Sequence, residues 1–180
     1  MKKLITLVML AITLFTSCGA RTDVDVHALL TELLPKAAEV NEILWGEGLP
    51  TEGEIDEDAT VDQYLPVVSE KYTRLADIKK AVREIYSSEY AAIIEENVLS
   101  NTDYTKARYA ETVEGVLRMN VTTEPMSLET VFDIDGARVK SANPYMITVV
   151  IPYTVREREG KTTLLLVKEN DQWRFDGPAY

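Results

Sequence analysis

Residues 145–155, YMITVVIPYTV, decide the fold class of this chain. Successive side chains of a β-strand point to opposite faces of the sheet, so an alternating pattern reveals a buried face. One face here would carry Tyr145, Ile147, Val149, Ile151, Tyr153 and Val155. The pattern predicts a strand that is buried on one side. Pro152 cannot donate to a ladder of hydrogen bonds, so we expect an edge position or a bulge at that point.

Alternation extends on both sides of this stretch, from about residue 106 to residue 176. We expect further strands at residues 115–121, 129–140, 162–168 and 172–176, with turns at 157–160 and 169–171. Within the second of these strands, Asp135-Gly136 favours a tight hairpin. Short connections of this kind predict an antiparallel sheet.

Before the sheet, the apolar residues recur at three- and four-residue steps, which is typical of amphipathic helices. We expect helices over residues 26–44 and 75–85, and a third from a Ser88 N-cap to about Leu99. Pro35 predicts a kink or a break near Leu34. Helices followed by an antiparallel meander indicate an α+β fold, with the N-terminal helices packed on a curved antiparallel sheet. We assign residues 26–180 to this single domain.

The N-terminus has the layout of an export signal. Lys2 and Lys3 precede an apolar stretch from Leu4 to Phe15, which ends before small residues and Cys18. The arrangement resembles a bacterial lipobox, in which the cysteine becomes the acylated first residue. We therefore expect residues 1–17 to be a lipoprotein signal peptide and 18–25 to be the lipidated Cys18 and a tether. Ordinary secretion and a retained anchor are the alternatives, and twelve residues are short for a bilayer span.

The residue inventory excludes several classes of function. The net charge of −11 opposes binding to nucleic acids and to anionic headgroups. Cys18 is the only cysteine and His27 the only histidine, which leaves no thiol or two-histidine metal site and little room for a catalytic triad. Counted from Asp56, the acidic loop lacks the glycine and glutamate of a calcium-binding EF-hand loop. We expect neither cofactor nor metal, and no enzymatic activity.

Two sets of residues are candidates for binding. Trp45 and the adjacent carboxylates suit an exposed edge that meets a basic partner: Asp56, Glu57, Asp58 and Asp62. Aromatic side chains distributed over the helices and the sheet are candidates for lining a cavity, although they equally suit a filled core: Tyr86, Tyr90, Tyr145, Tyr153 and Trp173.

Two short stretches carry a resemblance to known families. The ending QWRFDGPAY, residues 172–180, resembles the last strand of cone-shaped NTF2-like and cystatin-like domains. YSSEY, residues 86–90, joins two helices ahead of the sheet, as in exported inhibitors of cell-wall DL-endopeptidases, the IseA-like family. The resemblance implies a membrane-anchored extracytoplasmic binding module in the bacterial envelope, an inhibitor or regulator of a cell-wall hydrolase. The alternative is a small-ligand-binding or hydrolytic NTF2-like domain with an aromatic-lined cavity.

Overall fold

The structure is a computed structural model that describes residues 24–56, 58, 61–100, 106–126 and 130–179. It confirms the α+β class, with helices packed on curved antiparallel sheets, and it is compatible with a cone-shaped NTF2-like arrangement. The residues expected to form the signal peptide, the lipidated Cys18 and the tether as far as Asp23 lie outside the described residues. In chain order the elements are α1 Val26–Trp45, β1 Tyr64–Pro66, α2 Leu75–Ile85, α3 Ser88–Val98, β2 Tyr109–Glu111, β3 Leu117–Asn120, β4 Thr130–Phe132, β5 Arg138–Ala142, β6 Met146–Val155, β7 Arg158–Glu169 and β8 Gln172–Phe175.

The alternating stretch forms β6, the centre of a five-stranded sheet. It pairs with β7 along its whole length, from Met146 opposite Val167 to Val155 opposite Arg158. The predicted buried face is confirmed in the middle of the strand, where Ile147, Val149 and Ile151 are fully buried against the helices. At the far edge, β8 pairs with the end of β7. The helix-facing core is therefore built on the longest hairpin of the chain.

The predicted hairpin at Asp135-Gly136 is wrong. Instead of folding onto each other, β4 and β5 lie one after the other along the same edge of β6. Residues 133–137 form a short excursion between them, closed by a hydrogen bond from the Gly136 N–H to the Asp133 carboxylate. Pro152 lies opposite this excursion, where its carbonyl accepts from the Asp133 N–H. The irregularity expected at Pro152 is therefore present, and it divides the predicted strand 129–140 into two.

Both hairpin turns of the large sheet use two residues with positive φ. Arg156 and Glu157 connect β6 to β7, and Asn170 and Asp171 connect β7 to β8. Positive φ at both central residues matches the twist of antiparallel strands, as in type I′ turns. The first turn precedes the predicted 157–160, because β7 already begins at Arg158.

A second, three-stranded sheet has the order β1-β3-β2, and all of its pairings are antiparallel. It contains β3, which corresponds to the strand expected at 115–121, and two short strands that the sequence did not reveal. β1 and β2 are three residues each, too short for alternation to stand out from a loop. This sheet packs beside the C-terminal end of α1 through Tyr109, whose hydroxyl donates to the Ile43 carbonyl at 2.9 Å.

The first helix continues through Pro35 without a break. The missing N–H of a proline removes one intrahelical bond, but Leu33, Leu34 and Ala37 bury the helix in the core on both sides of it. We infer that this burial outweighs the lost bond. Asp25 caps the helix by accepting from the Ala28 N–H. Among the described residues, no helix is both long enough and apolar enough to cross a membrane.

The third helix begins one residue earlier than expected. Ser87, not Ser88, is the N-cap, and its hydroxyl accepts from the Tyr90 N–H. Ser88 is the first helical residue, and its N–H and hydroxyl both donate to the Glu169 carboxylate at the end of β7. A carboxylate at a helix N-terminus is stabilising because unpaired N–H groups and the helix dipole meet it there. The helix start is thus attached to the large sheet.

Tyr86 lies between α1, α3 and β8 and is fully buried. Its ring contacts Phe175 of β8 and Tyr90 of α3, and its hydroxyl donates to Asn41 of α1 at 2.7 Å. Asn41 is itself buried and donates to the Ala179 carbonyl. This polar chain links the first helix to the C-terminal segment inside an apolar core.

We expect Tyr86→Phe to lower the free energy of unfolding by about 1–3 kcal/mol, because the Asn41 carbonyl oxygen loses a buried donor. Urea denaturation followed by circular dichroism measures the change. Tyr145→Phe is the matched control, since Tyr145 is 74% exposed, and it should leave the midpoint unchanged. Equal midpoints for both variants would contradict a structural role of the Tyr86 hydroxyl.

Candidate functional site

An open pocket lies at the C-terminal end of α1, between that helix, α3 and the three-stranded sheet. Its volume is about 360 Å³, within the range of small-molecule and side-chain pockets. We call it the Trp45 pocket. Its apolar lining consists of Leu44, Trp45, Val98 and Met126, and its polar lining of Asp62, Asn97, Lys106, Arg108, Asn120, Thr123 and Glu124.

The pocket is lined by two residues of the candidate partner-binding set, Trp45 and Asp62. Trp45 is the last residue of α1, and its carbonyl accepts from the Met126 N–H at 2.7 Å. Asp62 lies just before β1, where it faces the Lys106 ammonium at 3.9 Å and accepts from the Thr122 hydroxyl. An aromatic ring therefore lies beside an ion pair at the mouth of one concavity.

Arg108 forms the inner wall of the pocket and is only 5% exposed. Its Nη2 donates to the carbonyls of Gly46 and Glu47 just after α1, and its Nη1 donates to those of Asn120 and Thr123. Its Nε is shielded from solvent and has no hydrogen-bond partner among the described residues. Because every donor that is satisfied bonds to a carbonyl, Arg108 acts as a structural cation rather than as a ligand-binding group.

Gly48 is required beside this guanidinium. Its φ is +83°, and a Cβ there would lie 2.4 Å from the Met119 sulfur and 2.9 Å from Arg108 Nη2. Any larger residue would therefore both strain the backbone and displace the cation. The position of Arg108 in the inner wall of the pocket therefore depends on a glycine at residue 48.

Tyr109 fixes the same region from the strand side. Its hydroxyl donates to the Ile43 carbonyl and accepts from the Leu49 N–H at 3.0 Å. Burial raises the pKa of Tyr109 to about 12. The phenol is consequently neutral at physiological pH and serves as a hydrogen-bonding bridge between β2 and the segment after α1.

The remaining carboxylates proposed for partner binding lie in the adjacent loop. Asp56 and Asp58 are exposed, and the Asp56 side chain accepts from the Asp58 N–H. Gln63 holds the loop by exchanging two hydrogen bonds with the backbone of Asp56. Glu57 lies outside the described residues. Within the described part of the chain, no group of three or more histidine, cysteine, aspartate or glutamate side chains is placed to hold a metal ion.

The five aromatics proposed as a cavity lining do not meet in one place. Tyr86 fills the core, Tyr90 and Trp173 pack against it while half-buried, and Tyr145 is exposed just before β6. Tyr153 lines a separate cleft on the large sheet. Helical and strand periodicity show which side chains face inward, but not whether inward-facing rings leave a space between them.

Sequence reasoning missed Arg108, Lys106 and Met126. A buried arginine has no periodic signature, because alternation in KARYAE is read from apolar side chains. Met126 follows a polar stretch and is exposed.

No protein-family model matches the chain, and no curated protein sequence is significantly similar to it. The site is therefore interpreted from its own chemistry.

We expect the buried Tyr109 to make stability depend on alkaline pH. Its pKa of about 12 in the folded state exceeds the usual tyrosine pKa of 10.0, so the unfolded state releases the proton first. The stabilisation that comes from keeping Tyr109 protonated is fully present below pH 10. Between pH 10 and pH 12 the free energy of unfolding falls by about 1.4 kcal/mol per pH unit. Tyr109→Phe should lower stability at pH 8 by about 1–3 kcal/mol, and this deficit should shrink by pH 11. Urea titrations at both pH values measure it, and a constant deficit would contradict the assignment.

Proposed function

We propose that this chain is a non-catalytic binding module, held at the outer face of a bacterial membrane by lipidated Cys18. Its partner-binding surface is the Trp45 pocket together with the acidic loop of residues 51–63. The observation that carries the proposal is the convergence of Trp45 and Asp62 on one open pocket. Trp45 is half-buried, with part of its side chain packed on the core. A partly accessible aromatic beside charged groups suits recognition, because aromatic anchors account for much of the energy of protein interfaces.

The lining of the pocket favours binding over catalysis. The chain's one histidine, His27, lies at the start of α1 and contacts Asp135 rather than the pocket. Among the described residues that line the pocket there is no serine or cysteine, and the carboxylates are Asp62 and Glu124. Serine and cysteine hydrolases place one of those nucleophiles beside a base, so the described lining favours binding.

Charge gives the class of partner. Residues 24–66 contain eleven carboxylates and one lysine, and the pocket lies at the end of this segment. A basic cleft would associate faster with such a surface, and the association would weaken with salt. We propose a cell-wall hydrolase with a basic cleft as the partner, which the chain inhibits or regulates.

The first helix supplies a suitable geometry for an anchored module. The tether joins α1 at its N-terminus, and Trp45 is the last of its 20 residues. At 1.5 Å per residue, the helix separates these points by about 30 Å. The pocket would then face the cell wall rather than the lipid surface.

The anchor predicts that Cys18→Ser moves the chain from the membrane fraction to the soluble extracytoplasmic fraction. The cysteine thiol is the proposed site of acylation, and two or more acyl chains are needed for stable attachment. Metabolic labelling with an alkyne fatty acid and fractionation measure both effects. An unlabelled wild-type chain, or a variant that stays in the membrane, would contradict the anchor without bearing on the pocket.

The pocket predicts that the purified full chain slows digestion of isolated cell walls by an envelope hydrolase fraction. Met126→Ala and Asp56→Asn/Asp58→Asn should each weaken inhibition by about tenfold, through a lost apolar contact and lost charge attraction. Met126 is 69% exposed, so its truncation should not affect folding. Turbidity loss measures digestion at low and high salt.

Glu96→Gln and Glu157→Gln are the charge-matched controls, because both carboxylates are exposed and lie outside the pocket lining. They should inhibit like the wild type. Inhibition that is absent in the wild-type chain would refute the hydrolase as partner. Inhibition equally strong in all variants would place the interaction elsewhere on the surface.

A further inference from the structure

A second concavity lies on the large sheet, beyond the region that the helices cover. Its volume is about 440 Å³, and it is lined from three adjacent strands, β4, β6 and β7. Phe132 and Tyr153 form its aromatic part, with ring centroids 6.4 Å apart and an angle of 67° between the ring planes. We call it the Phe132–Tyr153 cleft.

The strand register explains why a space exists here. Tyr153 pairs with Phe132 on one side and with Gly160 on the other. Gly160 has no side chain, and the Tyr153 ring lies over its backbone, so that a Cβ at position 160 would be 2.7 Å from the ring. Tyr153 is on the same sheet face as the buried Ile151, Val149 and Ile147, which the helices cover. The cleft is therefore the uncovered end of the core face.

The rim of the cleft supplies the polar groups. Arg158 pairs across the sheet with Val155 and is exposed, with no ion pair or side-chain hydrogen bond to any described residue. Glu159, also exposed, follows it. Thr130 and Thr162 complete the polar lining. A single available guanidinium beside two aromatic rings suits a ligand that has an apolar body and one anionic group.

We propose that the Phe132–Tyr153 cleft binds a small amphipathic monocarboxylate. The aromatic or aliphatic body lies on Phe132 and Tyr153, and the carboxylate pairs with Arg158, whose planar guanidinium matches carboxylate geometry. The site is independent of the Trp45 pocket, so either proposal can fail without the other.

The probe is 3-phenylpropanoate, and its neutral counterpart is 3-phenylpropanamide. Equilibrium dialysis uses the full chain in neutral phosphatidylcholine nanodiscs, with empty nanodiscs as the blank for partitioning into lipid. The wild type should bind the carboxylate about tenfold more tightly than the amide. Equal affinities, or no saturable binding of the carboxylate, would overturn the proposal.

Two pairs of variants locate the site. Arg158→Gln should remove the preference for the carboxylate, whereas Arg156→Gln, an exposed cation in the neighbouring turn, should retain it. Gly160→Ala should push the Tyr153 ring into the cleft and weaken both probes at least about tenfold. Gly177→Ala, where a Cβ meets nothing within 4 Å, is its control. The proposed location would be refuted if Arg156→Gln lost the carboxylate preference as Arg158→Gln does, or if Gly177→Ala weakened binding as much as Gly160→Ala.

Discussion

The buried guanidinium of Arg108 is the interaction on which the arrangement of the first helix and the three-stranded sheet depends. Removing a charge from water is costly unless polar groups surround it. Here four carbonyls do so, two from the segment after α1 and two from the end of β3 and the loop that follows it. The C-terminal end of a helix carries partial negative charge, which suits a cation at Gly46 and Glu47. The end of the longest helix is thereby fixed relative to the small sheet, and the Trp45 pocket is formed between them.

Carboxylates connect the other two helices to the strands in a comparable way. Glu111 of β2 accepts from the Leu75 N–H and from Arg74, and Glu169 of β7 accepts from Ser88. In both cases an acidic side chain from a strand satisfies donors that a helix start leaves unpaired. The pKa of Glu111 is lowered by the hydrogen bond from the Leu75 backbone and by Arg74. Part of the acidic composition thus serves the packing of helices on sheets, and only the remainder is available to a partner.

The sequence predicts the parts of the fold that local periodicity governs. Alternation in β6 identified the buried face at Ile147, Val149 and Ile151, and three-to-four spacing identified the helices. Local periodicity did not predict that β4 and β5 both pair with the same edge of β6. That arrangement depends on the length of the partner strand, and the 10 residues of β6 are enough to pair with both. For the pocket, Trp45 and Asp62 were identified from residue type, whereas Arg108 was not. Burial of a cation follows from the carbonyls that surround it, and these come from two segments that are far apart in the sequence.

The distribution of charge distinguishes the two concave sites. Residues 24–66 are strongly acidic, but residues 130–179 contain seven carboxylates and seven cations. The excess of carboxylates behind the net charge of −11 therefore lies in the helices and loops, and the large sheet is neutral overall. Since exposed charges are screened beyond about 10 Å at ordinary ionic strength, each site responds mainly to its own surroundings. The Trp45 pocket, beside the acidic loop, favours a basic partner, whereas the cleft on the neutral sheet can accept an anion that the net charge alone would exclude.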